Sequence, residues 1–184
     1  ARSYSDPNLL IAVSQEGRYE TDGAAAAIGY SVSQDGGLTW TRSLLPQVTS
    51  LTGGASVRAS DPVAAIDLDN TLYVNCAGLP QNSPPMSILL SRSTNRGASF
   101  AAPSFILPKP NVGEVDKNWI AINTFPNTPN AGRIAVIFSV YEDGKDQFRL
   151  MLSDDHGQTW SAPRILGNQY PLGDRKSTRL NSSH

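Results

Sequence analysis

Ser153-Asp154-Asp155-His156-Gly157-Gln158-Thr159-Trp160 decides how the rest of the chain is read, because it recurs. Ser33-Gln34-Asp35-Gly36-Gly37-Leu38-Thr39-Trp40 repeats it in full. Ser93-Thr94-Asn95-Arg96-Gly97-Ala98-Ser99-Phe100 repeats it with Asn, Ser and Phe in place of Asp, Thr and Trp. The three opening serines lie 60 residues apart. Average residue usage would produce Ser-x-Asp-x-Gly-x-x-Trp only about a few times per million positions. Evenly spaced copies therefore mark a repeat architecture. The chemistry inside each copy is that of a hairpin turn. Asp35 and Asp155 accept hydrogen bonds from the turn's own backbone, and Gly37 and Gly157 supply the positive φ. Trp40 and Trp160 open the next strand as apolar plugs with an N–H to place. Asn95, Gly97 and Phe100 keep those roles in the middle copy. His156 falls at a variable turn position and reads as exposed, with no ligand or catalytic role.

Working outward, the segments between boxes alternate like strands. Residues 62–67, 71–79, 86–93 and 101–107 form one set, and 118–124, 133–142, 148–153 and 161–166 form the next. No stretch sustains a helical period. Four antiparallel strands per fixed repeat are the mark of a propeller blade. The first repeat is shorter: residues 9–15 match the second strand of a blade, and the innermost strand is missing. The expected fold is all-β, a partial β-propeller of about three four-stranded blades. The expected divisions are 1–55 for a blade lacking its inner strand, 56–112 for the second and 113–173 for the third. Asp61 and Asp116 are expected at equivalent places, whereas Asp6 belongs to an ordinary turn.

Composition narrows the function classes. The chain has 184 residues, 39% hydrophobic and only 17% charged, with a net charge of −1. That balance gives no basic footprint for nucleic acid or an anionic membrane. No apolar run approaches the roughly 18–20 residues of a membrane span. Cys76 is alone, which excludes an intrachain disulfide framework and a zinc site of several cysteines. No metal or cofactor is expected. The last eleven residues, Asp174 to His184, lack any periodicity and resemble the codon-by-codon translation of a sequencing adapter. Setting them aside removes three bases and one acid, taking the net charge to −3. The native sequence is then expected to continue at both ends, with a six-bladed ring as its whole.

The boxes resemble the Asp-box, or bacterial-neuraminidase repeat, and residues 1–173 resemble a piece of a sialidase-superfamily propeller. That resemblance implies a structural role for the box residues Ser33, Asp35, Gly37, Trp40, Ser93, Asn95, Gly97, Phe100, Ser153, Asp155, Gly157 and Trp160. It implies a functional face at the opposite end of the blades. The loops expected there are Glu16–Gly23, Ser56–Asp61, Pro80–Pro85, Val112–Trp119 and Glu142–Gln147. They offer the rim residues Arg58, Asp61, Asp116, Lys117, Trp119, Tyr141 and Glu142.

One loop is more specific. Sialidases resemble an apolar run, then Glu-x-Arg, then an Asp before the strand into the first box. Here Leu9–Val13 leads to Glu16-Gly17-Arg18 and then Asp22. By resemblance Arg18 helps form the substrate pocket, and Asp22 is the general acid that protonates the leaving oxygen. The Arg-Ile-Pro motif of the family is absent, since Arg2 is followed by Ser3-Tyr4. Asp22-Gly23 is also a common hairpin signal. Two functions fit: a sialidase-like exoglycosidase acting on the ends of glycans or glycoconjugates, or a non-catalytic Asp-box propeller binding carbohydrate or protein. An endo-acting glucanase fits less well, with nothing to suggest a cleft lined by paired carboxylates. In the first case the piece alone is expected to be inactive, since the remaining family residues would fall beyond it. Low charge and richness in Ser, Thr and Asn fit a secreted or cell-surface protein, while oligomeric state is left open.

Overall fold

The computed structural model describes residues 1–21, 23–80, 86–107, 114–142 and 145–171, with side chains as far as Leu166. Among them are eleven strands and one short 3-10 turn, Ser50–Thr52. Three antiparallel meanders follow one another, and each is called a blade below. Blade 1 holds β1 (Leu10–Arg18), β2 (Ala25–Ser33) and β3 (Thr41–Leu44). Blade 2 holds β4 (Arg58–Ile66), β5 (Leu72–Leu79), β6 (Ser87–Ser93) and β7 (Ser104–Phe105). Blade 3 holds β8 (Glu114–Ile122), β9 (Ile134–Glu142), β10 (Lys145–Ser153) and β11 (Arg164–Pro171). Each strand pairs with its sequence neighbour in the blade. A single pair, Ala25 with Ala59, stitches β2 to β4 and joins blades 1 and 2 into one sheet. In blade 1 the segment before β1 contributes one isolated antiparallel bridge, Arg2 with Leu10.

The core lies between blades rather than within one. Leu72, Val74, Cys76 and Leu89 of blade 2 pack on Ile28, Tyr30 and Val32 of blade 1. Tyr73, Ile88 and Leu90, pointing the other way, pack on Ile134, Val136 and Phe138 of blade 3. Because both faces of blade 2 are covered, β5 reads as a nearly unbroken buried run, where β1 alternates. Burial pushes the Cys76 thiol up to about 12. That makes it an inert core residue.

The inner strands begin earlier than the alternation suggests. The readings Pro62–Asp67 and Asn118–Thr124 became Arg58–Ile66 and Glu114–Ile122. A bulge explains the difference: the register slips between Ser60 and Val63 in β4 and between Asp116 and Trp119 in β8. The bulge lets Pro62 sit in a strand without leaving a ladder bond unmade, and it breaks the period-2 pattern on which a strand is recognised. Asp61 and Lys117 take the positive-φ bulge position, at 50° and 53°. Lys117, not Asp116, is therefore the equivalent of Asp61. The outermost strands differ too: β7 is shorter than expected, and β11 starts three residues later.

Candidate functional site

The end of the blades away from the boxes is assembled from β1, β4 and β8, which pack side by side. Glu16 and Arg18 lie in β1 itself. The following turn is closed where the Tyr19 N–H donates to the Ala24 carbonyl at 3.1 Å. Arg58, the first residue of β4, reaches across from blade 2 into that turn. Its Nη1 donates to the carbonyls of Thr21 at 3.0 Å and Gly23 at 3.3 Å. Its guanidinium lies 4.2 Å from the centre of the Tyr19 ring, a cation–π contact. Arg18 also comes near, with Nη2 3.7 Å from the place a Cβ on Gly23 would occupy. The two neighbours of Asp22 are thus held by one arginine and flanked by another, while Asp22 itself lies outside the described residues.

From this corner a polar chain runs along the inner strands. Gln15 Nε2 donates to Ser60 Oγ at 3.3 Å, and Ser60 Oγ donates to Asp61 Oδ1 at 3.1 Å. Asn118 Nδ2 donates to the Asp61 carbonyl at 2.9 Å and to Asn75 Oδ1 at 2.7 Å. Asn75 in turn donates to the Leu89 carbonyl. Asn75 and Asn118 are both buried, and Gln15 Oε1 and Asn118 Oδ1 are buried acceptors without a partner among the described residues.

The other expected rim residues are placed as follows. Arg58, Asp61, Asp116, Lys117 and Trp119 stand on strands rather than in loops. Asp116 and Lys117 pair with each other at 3.3 Å. Trp119 is 61% exposed, a large apolar surface on an inner strand. Tyr141 and Glu142 end β9, and Glu142 is held by Arg149 of β10 at 2.5 Å, which ties it into blade 3. Residues 81–85, 112, 113, 143 and 144, which belong to the expected loops, lie outside the described residues.

The box end was expected to be structural, and its chemistry is uniform. The glycine N–H of each box donates to the serine Oγ: Gly37 to Ser33 at 2.8 Å, Gly97 to Ser93 at 2.9 Å and Gly157 to Ser153 at 2.9 Å. The serine hydroxyl donates to Asp35, Asn95 or Asp155. Thr39 and Thr159 donate to the two aspartates through both N–H and hydroxyl. These bonds, the threonine hydroxyl foremost, hold Asp35 and Asp155 down at about 2. The plugs differ in burial. Phe100 is buried against Tyr30, with ring centres 4.7 Å apart, and Trp160 leans on the core between blades 2 and 3. Trp40 is half-exposed and donates to the Gly37 carbonyl.

The reading of His156 as a side chain without a role needs correcting. It is half-exposed, but its Nδ1 lies 3.2 Å from Oδ2 of the buried Asp67 in blade 2. Arg96, at the same place in the second box, meets Asp6 of blade 1 at 2.5 Å. Arg96 holds the Asp6 carboxyl below its ordinary range. Asp6 and Asp67 are themselves equivalent: each accepts the N–H two residues on, at 3.0 and 2.9 Å. The sequence carried a signal for this, since each of these acids opens an Asx turn just before the second strand of its blade.

Comparison with known proteins agrees with this architecture. The BNR/Asp-box repeat family matches residues 151–162, which contain the third box. No curated protein sequence matches the chain significantly. Among solved structures the chain is similar to a Hadza microbial sialidase, Hz136, with TM-score 0.63 and 20% identity over 89% of this chain and 36% of that one. It is also similar to a protein of unknown function from Dyadobacter fermentans DSM 18053, with TM-score 0.59 and 17% identity over 83% of this chain and 42% of that one. The chain spans little more than a third of that sialidase and about two-fifths of the second protein.

Proposed function

We propose that this chain, whose fold is the sialidase-like Asp-box fold, is part of a secreted or cell-surface exoglycosidase that removes terminal sugars from glycans. The described strands would supply about three blades of a six-bladed ring, with the catalytic face at the end opposite the boxes. The observation that carries the proposal is the grip of Arg58 on the turn around Asp22. An acid on a flexible hairpin would be a poor proton donor, because catalysis needs the donor within hydrogen-bond reach of the leaving oxygen. Cross-blade contacts from Arg58 to Thr21 and Gly23, with its stacking on Tyr19, anchor the residues on either side of Asp22. Arg18 and Arg58 bring two guanidinium groups to the same corner, suited to an anionic sugar. Two cations beside a general acid work against its proton, so this reading requires that a bound sugar exclude water from that corner.

A second reading rests on Trp119. An exposed indole on an inner strand is a platform on which a sugar ring stacks, and it would serve a binding module without any acid.

Hydrolysis of a fluorogenic sialoside by the protein of the complete reading frame separates the two. Turnover that falls about 10²–10⁴-fold in Asp22→Ala supports the enzyme. The 184-residue chain alone should give no turnover. Saturable binding without turnover, lost in Trp119→Ala, replaces the enzyme with the binding module. Neither binding nor turnover overturns both.

A further inference from the structure

From the junction of blades 2 and 3 we infer a site for a transition-metal dication of the zinc class, formed by Asp67, Asp69 and His156. It lies at the box end and is independent of the proposed glycosidase activity.

Asp67 Oδ1 accepts the N–H groups of Asp69 and Thr71, each at 2.9 Å. Asp67 Oδ2 accepts the Tyr73 hydroxyl at 2.8 Å, which uses the only proton that phenol has. His156 Nδ1 then lies 3.2 Å from Oδ2 and 3.4 Å from the Tyr73 oxygen. A neutral imidazole with its hydrogen on Nδ1 donates to Oδ2 at that distance, whereas the other tautomer leaves two acceptors facing each other and requires a cation between them. Zinc ligands at 2.0–2.1 Å define a tetrahedron with an edge of about 3.3 Å. The Asp67–His156 pair already has that separation, and Asp69 brings a third donor, with all three ligand atoms within 4.8 Å of one another. A recess of about 210 Å³ opens beside them and has room for water as a fourth ligand.

The neighbouring junction supplies the contrast. Between blades 1 and 2 the same box position is Arg96, a permanent cation, facing Asp6. The residue two beyond Asp6 is the neutral Asn8, where blade 2 has Asp69. That junction balances its charge internally. The second faces two carboxylates with an imidazole at the box position instead of a guanidinium. Of the nearby cations, Arg133 forks onto Asp154 at 2.6 and 2.9 Å, and Arg92 donates to the backbone carbonyl of His156 at 3.4 Å; among the described residues neither forms an ion pair with Asp67 or Asp69. A buried carboxylate, an imidazole and an exposed carboxylate form a mixed nitrogen–oxygen donor set, which suits zinc better than calcium.

The test is calorimetric titration of the full 184-residue chain with zinc chloride at pH 7.5 in a non-coordinating buffer. One zinc per chain should bind saturably and raise the thermal midpoint, and magnesium chloride should do neither. His156→Gln should weaken binding about tenfold or more and abolish the thermal shift. Asp69→Asn, on an exposed turn, should weaken binding without disturbing the fold. His184→Gln should leave it unchanged. Absence of stoichiometric zinc binding overturns the site. So does zinc binding that survives His156→Gln and Asp69→Asn, or that disappears with His184→Gln.

Discussion

The two ends of the blades are held by different means. At the box end the same four groups recur in each copy: a serine hydroxyl, an Asp or Asn, a left-handed glycine and a hydroxyl four residues after the Asp or Asn. The glycines of the later boxes press directly on the preceding blade. A Cβ on Gly97 would lie 2.5 Å from Val32 Cγ2, and one on Gly157 would lie 2.6 Å from Leu90 Cδ2. At the other end the bulges of β4 and β8 repeat, but among the described residues the side-chain contacts across the two junctions do not. Blades 1 and 2 are joined there by Arg58 on the Tyr19 turn, blades 2 and 3 by Asn118 on Asn75. A junction defined by backbone geometry fixes its residues, whereas one made by long side chains leaves them free to vary. The second kind is where a binding function can be placed without unmaking the fold.

The sharpest way to break this comparison is to remove the close approach at the box end. Gly97 has φ of 84° and no room, whereas Gly132 has φ of 81° and nothing within 4 Å. Gly97→Ala combines left-handed strain with overpacking and should destabilise by about 2–4 kcal/mol. Gly132→Ala carries the strain alone and should lose about 1 kcal/mol. Urea unfolding of the two variants measures the difference. Equal losses would mean that φ alone, and not the contact with Val32, explains the glycine.

At the opposite end the corresponding change is Asn118→Ala. It leaves the buried Asn75 Oδ1 and the Asp61 carbonyl without their donor. Stranded buried groups of this kind cost about 1–3 kcal/mol. Ser99→Ala removes a bond of the second box at an exposed site, and water replaces the partner, so the loss should stay under about 1 kcal/mol. A larger loss at Ser99 than at Asn118 would reverse the view that buried polar contacts, not box bonds, hold blade 3 to blade 2.

The same contrast explains what the sequence disclosed. The boxes were legible because turn chemistry demands particular residues at fixed offsets: Gly97 and Gly157 can be nothing else. Strands β5 and β9 were legible from apolar runs of the right length. The starts of β4 and β8 were not, because the bulge at Asp61 and Lys117 interrupts the alternation. Arg58 was found as a rim residue by resemblance, but its partners were invisible, since a cross-blade contact to a backbone carbonyl leaves no pattern in the chain. His156 was misread because its role depends on Asp67, 89 residues away. Only the equivalence of the Asp6 and Asp67 turns hinted that a box reaches the blade before it.

The smallest expected effect distinguishes the boxes from one another. Asp35 and Asp155 are held at about 2 when folded, against an ordinary value of 3.8, chiefly by the threonine hydroxyl and N–H. A carboxylate lowered on folding contributes stability that is fully present above its unfolded value and disappears as pH falls through the folded one. Both boxes should therefore weaken between about pH 4 and pH 2. The second box, with the neutral Asn95 making matching bonds to Ser93 and Ser99, should not. Asp6, Glu16 and Asp154 are also held low and weaken the protein in the same direction, so the measurement must compare variants. Asp35→Asn and Asp155→Asn should each flatten the fall of the urea midpoint over that window and converge with the unaltered protein near pH 2. Asn95→Asp should steepen it. Asn95 is exposed and Asp35 and Asp155 are only partly covered, so each change will be modest. Parallel curves for all variants would show that the box aspartates act through shape alone, and that their charge adds nothing the asparagine lacks.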